Sequence, residues 1–302
     1  MESNIRLTIF TPTFNRAKLL LPAFEALKRQ TCKDFIWMVI DDGSTDDTRN
    51  VVSQWQNEDC GFRIEYFYKE NGGLQTAYVE AIKHIETELC MCVDSDDYLL
   101  DDAVERLLSF WKQYGSEAVA GIVSLDCYAD GRIIGGSFPN ELKTINFRKT
   151  VAGLYGRTAT DIAMLYRTKC YELTTPAKKY PGETSLNASR QFLQIAQHFD
   201  MLILNEPTVV VNYQTDGVSN NKYKNYFKRP NSFADFRIFT LSMDGSRKRT
   251  YFITAMHYVS ECMIAKRKLF CKELRRKGYV IAALPMGLLW YLWIKHKTKK
   301  ER

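Results

Sequence analysis

Histidine is scarce in this chain. There are four in 302 residues, His84, His198, His257 and His296, and none has a partner at metal-ligand spacing. That argues against a zinc site of the histidine–cysteine kind. The eight cysteines form no disulfide ladder. Cys90 and Cys92 stand one residue apart inside an apolar run, which suits neither a zinc site nor easy bridging. Free thiols in a reducing compartment are therefore expected. No secretory signal is expected at the start, where Met1–Arg6 runs directly into a strand-like segment, Ile5–Thr11. Internal repeats and low-complexity stretches are absent. Long apolar runs are lacking too: Tyr279–Ile294 has sixteen residues and contains Pro285, where a helical span needs about 20. What is present, 45% apolar and 25% charged residues, is an ordinary globular composition with enough chain for a large core.

The net charge of +7 is unevenly spread. Residues 265–302 carry twelve Lys or Arg against Glu273 and Glu301, so the remainder of the chain is slightly acidic. A near-neutral body with a basic tail argues against a nucleic-acid groove across the fold and points to local contact with an anionic surface.

The first 125 residues alternate in type. Ile5–Thr11, Phe35–Ile40, Arg63–Tyr68 and Leu89–Val93 read as strands, and the second is apolar throughout, as a strand buried on both faces should be. Arg16–Gln30, Thr45–Gln56, Gly73–Glu86 and Asp101–Tyr114 read as helices, the second with Ser44 or Thr45 as its N-cap. This alternation predicts a parallel sheet with helices on both faces. Further on, Ile122–Cys127 and Arg132–Ser137 suggest a hairpin around Ala129-Asp130-Gly131. Leu186–Phe199 reads as a helix, Met201–Leu204 and Thr208–Tyr213 as short strands, and the chain from Asn225 as mostly helical.

In parallel sheets ligands sit beyond the carboxyl ends of the strands, and three polar clusters occur at such ends: Thr11–Arg16, Asp41–Thr45 and Asp94–Asp97. Asp94-Ser95-Asp96-Asp97 closes an apolar strand. Side chains alternate along a strand, so Asp94 and Asp96 share a face. Hard cations such as Mg²⁺ or Mn²⁺ bind one or two carboxylates and complete their shell with phosphate oxygens; a capping acid at a helix start is the alternative, Asp97 above all. Asp41-Asp42-Gly43-Ser44-Thr45-Asp46 follows a buried strand, and Asp41 and Asp42 are placed to accept hydrogen bonds from a ribose or a base. Asn71-Gly72-Gly73 opens a helix, where close backbone approach and the helix N-terminus favour phosphate; an ordinary glycine turn is the alternative.

Together, Thr11-Pro12-Thr13-Phe14-Asn15-Arg16, Ile40–Asp46, Asn71-Gly72-Gly73 and Val93–Asp97 resemble family 2 glycosyltransferases in order and spacing, over residues 5–115 strongly and 155–220 weakly. The resemblance implies an α/β fold of the GT-A type, a Rossmann-like, mostly parallel central sheet flanked by helices with a C-terminal helical extension. It implies a glycosyltransferase domain over 1–222, with a nucleotide-sugar-binding half at 1–125 and an acceptor half at 126–222, followed by a helical, basic extension at 223–302. Carried over, Thr11 and Asp42 would meet the base, Asp94 the ribose and metal, and Asp96 the Mn²⁺ or Mg²⁺ on the diphosphate. Pro12, Phe14, Arg16, Asp41, Asn71, Gly72, Gly73 and Ser95 would complete donor binding. Leu74 and Val79 depart from the polar residues common in relatives.

An inverting transfer needs a carboxylate to take the acceptor's proton. Relatives place it near Asn187 or Ala188, where this chain has no acid. Glu183 is the nearest carboxylate and Asp161 a second candidate; Asp216-Gly217 resembles a stretch of capsule-type relatives but also reads as a turn. The expected function is therefore transfer of a sugar from a nucleotide-diphosphate sugar, a UDP-sugar first, to a glycan that is lipid-linked in bacterial cell-surface polysaccharide synthesis. A catalytically impaired nucleotide-sugar binder is the alternative. No nucleic-acid partner is expected, and the Gln-x-x-Arg-Trp motif of processive synthases is missing. Trp290, Tyr291 and Trp293 beside the basic cluster fit a segment of 265–302 lying on a membrane surface, hence a cytoplasmic protein peripheral to the inner face of the plasma membrane.

Overall fold

The computed structural model describes residues 5–152, 154, 161–184, 189–214 and 222–300. In chain order it contains β1 (Leu7–Thr13), α1 (Leu20–Arg29), β2 (Phe35–Asp41), α2 (Thr48–Gln56), β3 (Arg63–Tyr68), α3 (Leu74–His84), β4 (Leu89–Cys92), β5 (Tyr98–Leu99), α4 (Ala103–Tyr114) and β6 (Val119–Cys127). Then come β7 (Thr144–Ile145), α5 (Phe147–Val151), β8 (Ile162–Arg167), a 3-10 turn at Thr168–Leu173, α6 (Ser189–Ile195) and β9 (Asp200–Val210). The helices α7 (Lys222–Lys228), α8 (Pro230–Ser242), α9 (Lys248–Ala265), α10 (Lys277–Ala282) and α11 (Leu284–Lys300) complete the chain.

Two compact units share these elements. The first comprises Met1–Phe147, Arg157–Thr175 and Gln191–Tyr213. Its sheet runs β3-β2-β1-β4-β8-β6-β9-β5, with β7 also on β9. β1 pairs β2 and β4 in parallel, and β2 pairs β3 in parallel. The sheet is mixed beyond β4, because β8 inserts antiparallel to both β4 and β6. β2 is buried at all seven positions, which explains the apolar run Phe35–Ile40. Trp37 on β2 stacks on Phe24 of α1, which stacks in turn on Trp55 of α2 at 4.3 Å. Apolar burial of this kind stabilises by about 25 cal/mol per Å², and it ties the two helices to one face of the sheet.

Several elements differ from the sequence reading. The expected short strands around residues 201–213 are one continuous strand, β9, that pairs β6 in parallel through register shifts. The second arm of the expected hairpin is no strand; a turn closes it, with Ile134 N donating to Asp126 O at 2.9 Å and a single bridge from Cys127 to Ile133. α2 starts at Thr48, later than expected, and its N-cap residue Asp47 makes no side-chain cap bond. Asp46 accepts instead from Thr48 N at 3.1 Å and Thr48 Oγ1 at 2.5 Å.

The second unit comprises Arg148–Gly156, Pro176–Arg190 and Gln214–Arg302, so it draws on two earlier segments besides the C-terminal region. Ala234, Leu241, Ala255, Tyr258, Val259 and Val280 form its core. Gly287 lets α11 lie against α9: a Cβ there would fall 2.5 Å from Val259 Cβ. Pro285 does not interrupt α11. It sits in the first turn, where a missing N–H costs nothing.

Candidate active site

The parallel pairing of β1 with β2 and β4 brings the three polar clusters to one edge of the sheet. The loops after β1 and β2 are bound to each other by Asn15. Its Oδ1 accepts from Thr45 N at 2.7 Å and Asp46 N at 3.3 Å, and its own N–H donates to Ser44 Oγ at 2.8 Å. Asn15 has φ +54°, a left-handed conformation that Asn tolerates because its short side chain bonds locally. Phe14 beside it is exposed. Pro12 pairs with Ile40 in the sheet.

Thr11 is buried, and its Oγ1 accepts from Trp37 Nε1 at 3.1 Å. Its hydroxyl therefore serves the core, and only its backbone faces the strand end. Asp41 is likewise engaged: Oδ1 accepts from Ser44 N at 2.7 Å and Oδ2 from Tyr66 OH. Asp42 organises the Asn71-Gly72-Gly73 turn. Its carboxylate accepts from Gly72 N at 3.0 Å, Gly73 N at 2.7 Å and the Lys69 ammonium, while Asn71 Nδ2 donates to its carbonyl at 2.8 Å. The N-terminus of α3 thus carries the Asp42 carboxylate as an anion of the chain's own. Gly43, at φ +89°, makes this approach possible; a Cβ there would lie 2.8 Å from Asn71 N.

After β4 the acids separate by partner. Arg16 Nη1 lies 3.0 Å from Asp96 Oδ2 and donates to Ser95 Oγ at 3.2 Å. Ser95 is buried. Asp97 Oδ1 accepts from Asn212 N at 2.9 Å, which ties this loop to the segment after β9. That bond rules out the helix-cap alternative for Asp97, since α4 begins only at Ala103. Crowding desolvates Asp94 although its side chain reaches solvent, and with Asp96 beside it the carboxyl is pushed up to about 6. Burial pushes Asp97 up to about 7, against the Asn212 hydrogen bond and with neighbouring carboxylates adding to the rise. Two further acids belong to the same surroundings. Asp161 Oδ2 accepts from Tyr213 OH. Asp126, at the end of β6, is pushed up to about 8 by burial and then by Asp161, Asp97 and Asp94.

Glu183 belongs to the second unit. Its Oε1 accepts from Asn231 N at 3.0 Å and Asn231 Nδ2 at 2.8 Å, and its Oε2 from Ser232 N and Ser232 Oγ at 2.9 Å. These donors open α8, so the carboxylate caps that helix and meets its dipole. Asn187, Ala188, Asp216 and Gly217 lie outside the described residues.

The glycosyl transferase family 2 profile matches residues 8–170, the stretch that carries all these clusters. This chain belongs to glycosyl transferase family 2. Among curated relatives, an uncharacterized glycosyltransferase of Rickettsia felis is 33% identical over 108 residues, 36% of this chain and 17% of that protein. The GalNAc(5)-diNAcBac-PP-undecaprenol beta-1,3-glucosyltransferase of Campylobacter jejuni is 35% identical over 105 residues, 34% of this chain and 33% of that protein. The chain thus spans a third or less of these relatives' length. Among solved structures, Staphylococcus aureus TarS 1-349 in complex with UDP-GlcNAc aligns with TM-score 0.57 at 15% identity, covering 98% of this chain and 92% of that one. A mannosyltransferase from Pyrobaculum calidifontis in complex with GDP-Man and Mn²⁺ aligns with TM-score 0.56 at 14% identity, covering 95% and 87%. The family 2 chain therefore has the GT-A fold, and its C-terminal helices are part of the structure.

Among the described residues no three His, Cys, Asp or Glu side chains are grouped as a metal site. The donor set still fits a hard divalent cation. Asp94 is held above the usual carboxylate range by desolvation and then by the charge of Asp96 beside it, and an added positive charge relieves the second cause. Two carboxylates suffice for an ion that takes its other ligands from water and phosphate. Sequence reasoning missed Asp126 and the partnership of Tyr213 with Asp161. A lone acid in the apolar run Gly121–Cys127 was the available signal for the first.

Proposed function

We propose that this chain is an inverting glycosyltransferase that moves a sugar from a nucleoside-diphosphate sugar to a glycan hydroxyl, with UDP-sugars the first donors to test. The observation that carries the reading is the set of carboxylates at the strand ends, Asp94, Asp96, Asp97 and Asp161, in a unit of this family. Asp96 and Asp94 hold Mn²⁺ or Mg²⁺ in this reading. When bound, such an ion takes up charge on the departing diphosphate. Arg16, next to Asp96, supplies a second positive charge on that side.

Asp161 is the base. The acceptor oxygen forms its bond to the anomeric carbon from the face opposite the diphosphate, Asp161 takes the hydroxyl proton, and the bond to the diphosphate breaks with its electron pair going to phosphate oxygen. Tyr213 OH, donating to Asp161, fixes the carboxylate's orientation. Glu183, the other carboxylate within reach of the acceptor role by sequence, has a capping role here, because both its oxygens are committed to α8.

The acceptor in this reading is lipid-linked and met at the inner face of a bacterial plasma membrane. Support comes from α11, where Leu289, Leu292 and Trp293 are exposed beside the basic side chains of 265–302. No helix of the described residues is long and apolar enough to cross a membrane, so the contact would be with the surface. A nucleotide-sugar binder without turnover is the second reading, favoured by the absence of an acid at Asn187 and Ala188.

The test is a thermal-shift screen of nucleotide sugars with and without Mn²⁺, followed by transfer assays. A fitting donor at a hundred times its Kd should raise the midpoint by roughly 5–10 °C. Asp96→Asn should lower kcat/KM by about 10² or more; normal turnover by that variant would sink the metal assignment. Binding without turnover on any acceptor would favour the second reading.

A further inference from the structure

Beneath the acidic mouth lies a cavity of about 140 Å³, between β4, β6 and β8. Its walls mix acids with aromatic and aliphatic side chains: Tyr166 and Phe192 stack at 5.4 Å with planes 10° apart, and Tyr78 meets Phe192 edge-on at 6.0 Å. Its acidic lining is Asp94, Asp97 and Asp126. The first two belong to the metal and strand-end loop already described. Asp126 does not.

Asp126 is 7% exposed, and its Oδ1 has no hydrogen-bond partner among the described residues. Buried carboxylate oxygens are rarely left bare, because the lost hydration is not offset. Neighbouring Cys127 and Leu125 are fully buried in the core, so β6 holds the Asp126 side chain against the cavity with little freedom. A bare acceptor, aromatic walls and this volume point to one ligand chemistry. A cavity of about 150 Å³ admits a six-membered ring; aromatic faces pack against the C–H faces of such a ring, and a carboxyl oxygen accepts from its hydroxyls whether or not the acid is ionised.

We propose that Asp126 selects the donor's sugar, accepting a hydrogen bond from one of its hydroxyls inside this cavity, an assignment that rests on the glycosyl-transfer reading. The nucleoside diphosphate is held by other residues, so Asp126 acts on the sugar alone. A residue that is merely structural would affect both ligand classes together, and this separates the two.

The experiment is calorimetric titration of the wild type, Asp126→Asn and Asp126→Ala with UDP, GDP and their common sugar conjugates, each with Mn²⁺, alongside melting curves. Asp126→Asn keeps the side chain's shape and guards against a folding failure in the alanine variant. The expected result is that the conjugate binds the wild type more tightly than its nucleoside diphosphate. Both variants then lose about tenfold or more in conjugate affinity and keep nucleoside diphosphate affinity and melting temperature. Equal loss for both ligand classes, or no loss for the conjugate, would overturn the assignment. So would a wild type that gains nothing from the sugar, and in that case nucleotide binding would leave the glycosyl-transfer reading standing. A wild type that binds no nucleotide at all would bring down both.

Discussion

Asp42 shows how a residue singled out by its motif can carry hydrogen bonds the motif does not announce. The motif Asp41-Asp42-Gly43 drew attention as a ligand contact. In the structure the Asp42 carboxylate is nearly buried and carries Lys69 and the N–H groups of Gly72 and Gly73. Sequence patterns locate such a residue, because only certain side chains survive at a strand end, but they do not say whether its hydrogen bonds go to a ligand or to a neighbouring loop 30 residues away. Asp42→Asn leaves a half-buried ammonium without its counter-ion, so it should cost about 2–4 kcal/mol in urea unfolding. Asp126 was hard to read for the converse reason: a lone acid in a mostly apolar run is a faint signal, and its surroundings arise from strands β8 and β9, which join β6 only in the folded sheet.

At the level of elements, the alternating first half was readable because each strand and helix there carries its own apolar period. β2 and α4 fall within a residue or two of expectation. The pattern fails where pairing decides. β8 inserts antiparallel between β4 and β6, and no local period encodes that. The cap on α8 is also non-local, since it comes from Glu183. Glu183→Gln should therefore lower stability by about 1–2 kcal/mol while transfer activity persists; loss of turnover with an unchanged melting curve would instead return Glu183 to the base role. α9 offers a pH-dependent case. Glu261 is buried against Arg237 at 3.2 Å, and burial pushes its carboxyl up to about 7, with Arg237 pulling the other way. The folded chain holds this proton more tightly than the unfolded one. Its contribution is therefore full below pH about 4.5 and is lost as pH rises through about 7. Glu261→Gln should remove a pH dependence of unfolding free energy on the order of 3 kcal/mol across that window, read from urea unfolding at each pH against the wild type.

At the scale of the whole molecule, composition foretold a basic, partly apolar C-terminal region, and the second unit contains it. It did not foretell that this unit also takes in 148–156 and 176–190, because discontinuous packing leaves no trace in charge or hydropathy. The unit presents Ile281, Met286, Leu289 and Leu292 to solvent, and Lys297 lies over the rings of Tyr223 and Trp293 at 4.6 and 5.2 Å. If these side chains meet a bilayer, Leu289→Asp with Leu292→Asp should reduce cosedimentation with anionic vesicles at least about tenfold, since each buried aliphatic side chain contributes about 1.5–3 kcal/mol. Unchanged cosedimentation would remove α11 from the contact. Substituting neutral vesicles should weaken the wild type as well, at about 1 kcal/mol per basic residue near the surface.

The mouth of α3 is a socket already plugged from within. A carboxylate tethered on the adjacent loop competes at very high local concentration with any diffusing oxyanion for the N–H groups of Gly72 and Gly73. Inorganic phosphate and sulfate should consequently be poor competitors of a nucleotide donor, no better than chloride at matched ionic strength. Opening the plug with Asp42→Ala should make the protein sensitive to both salts for the first time.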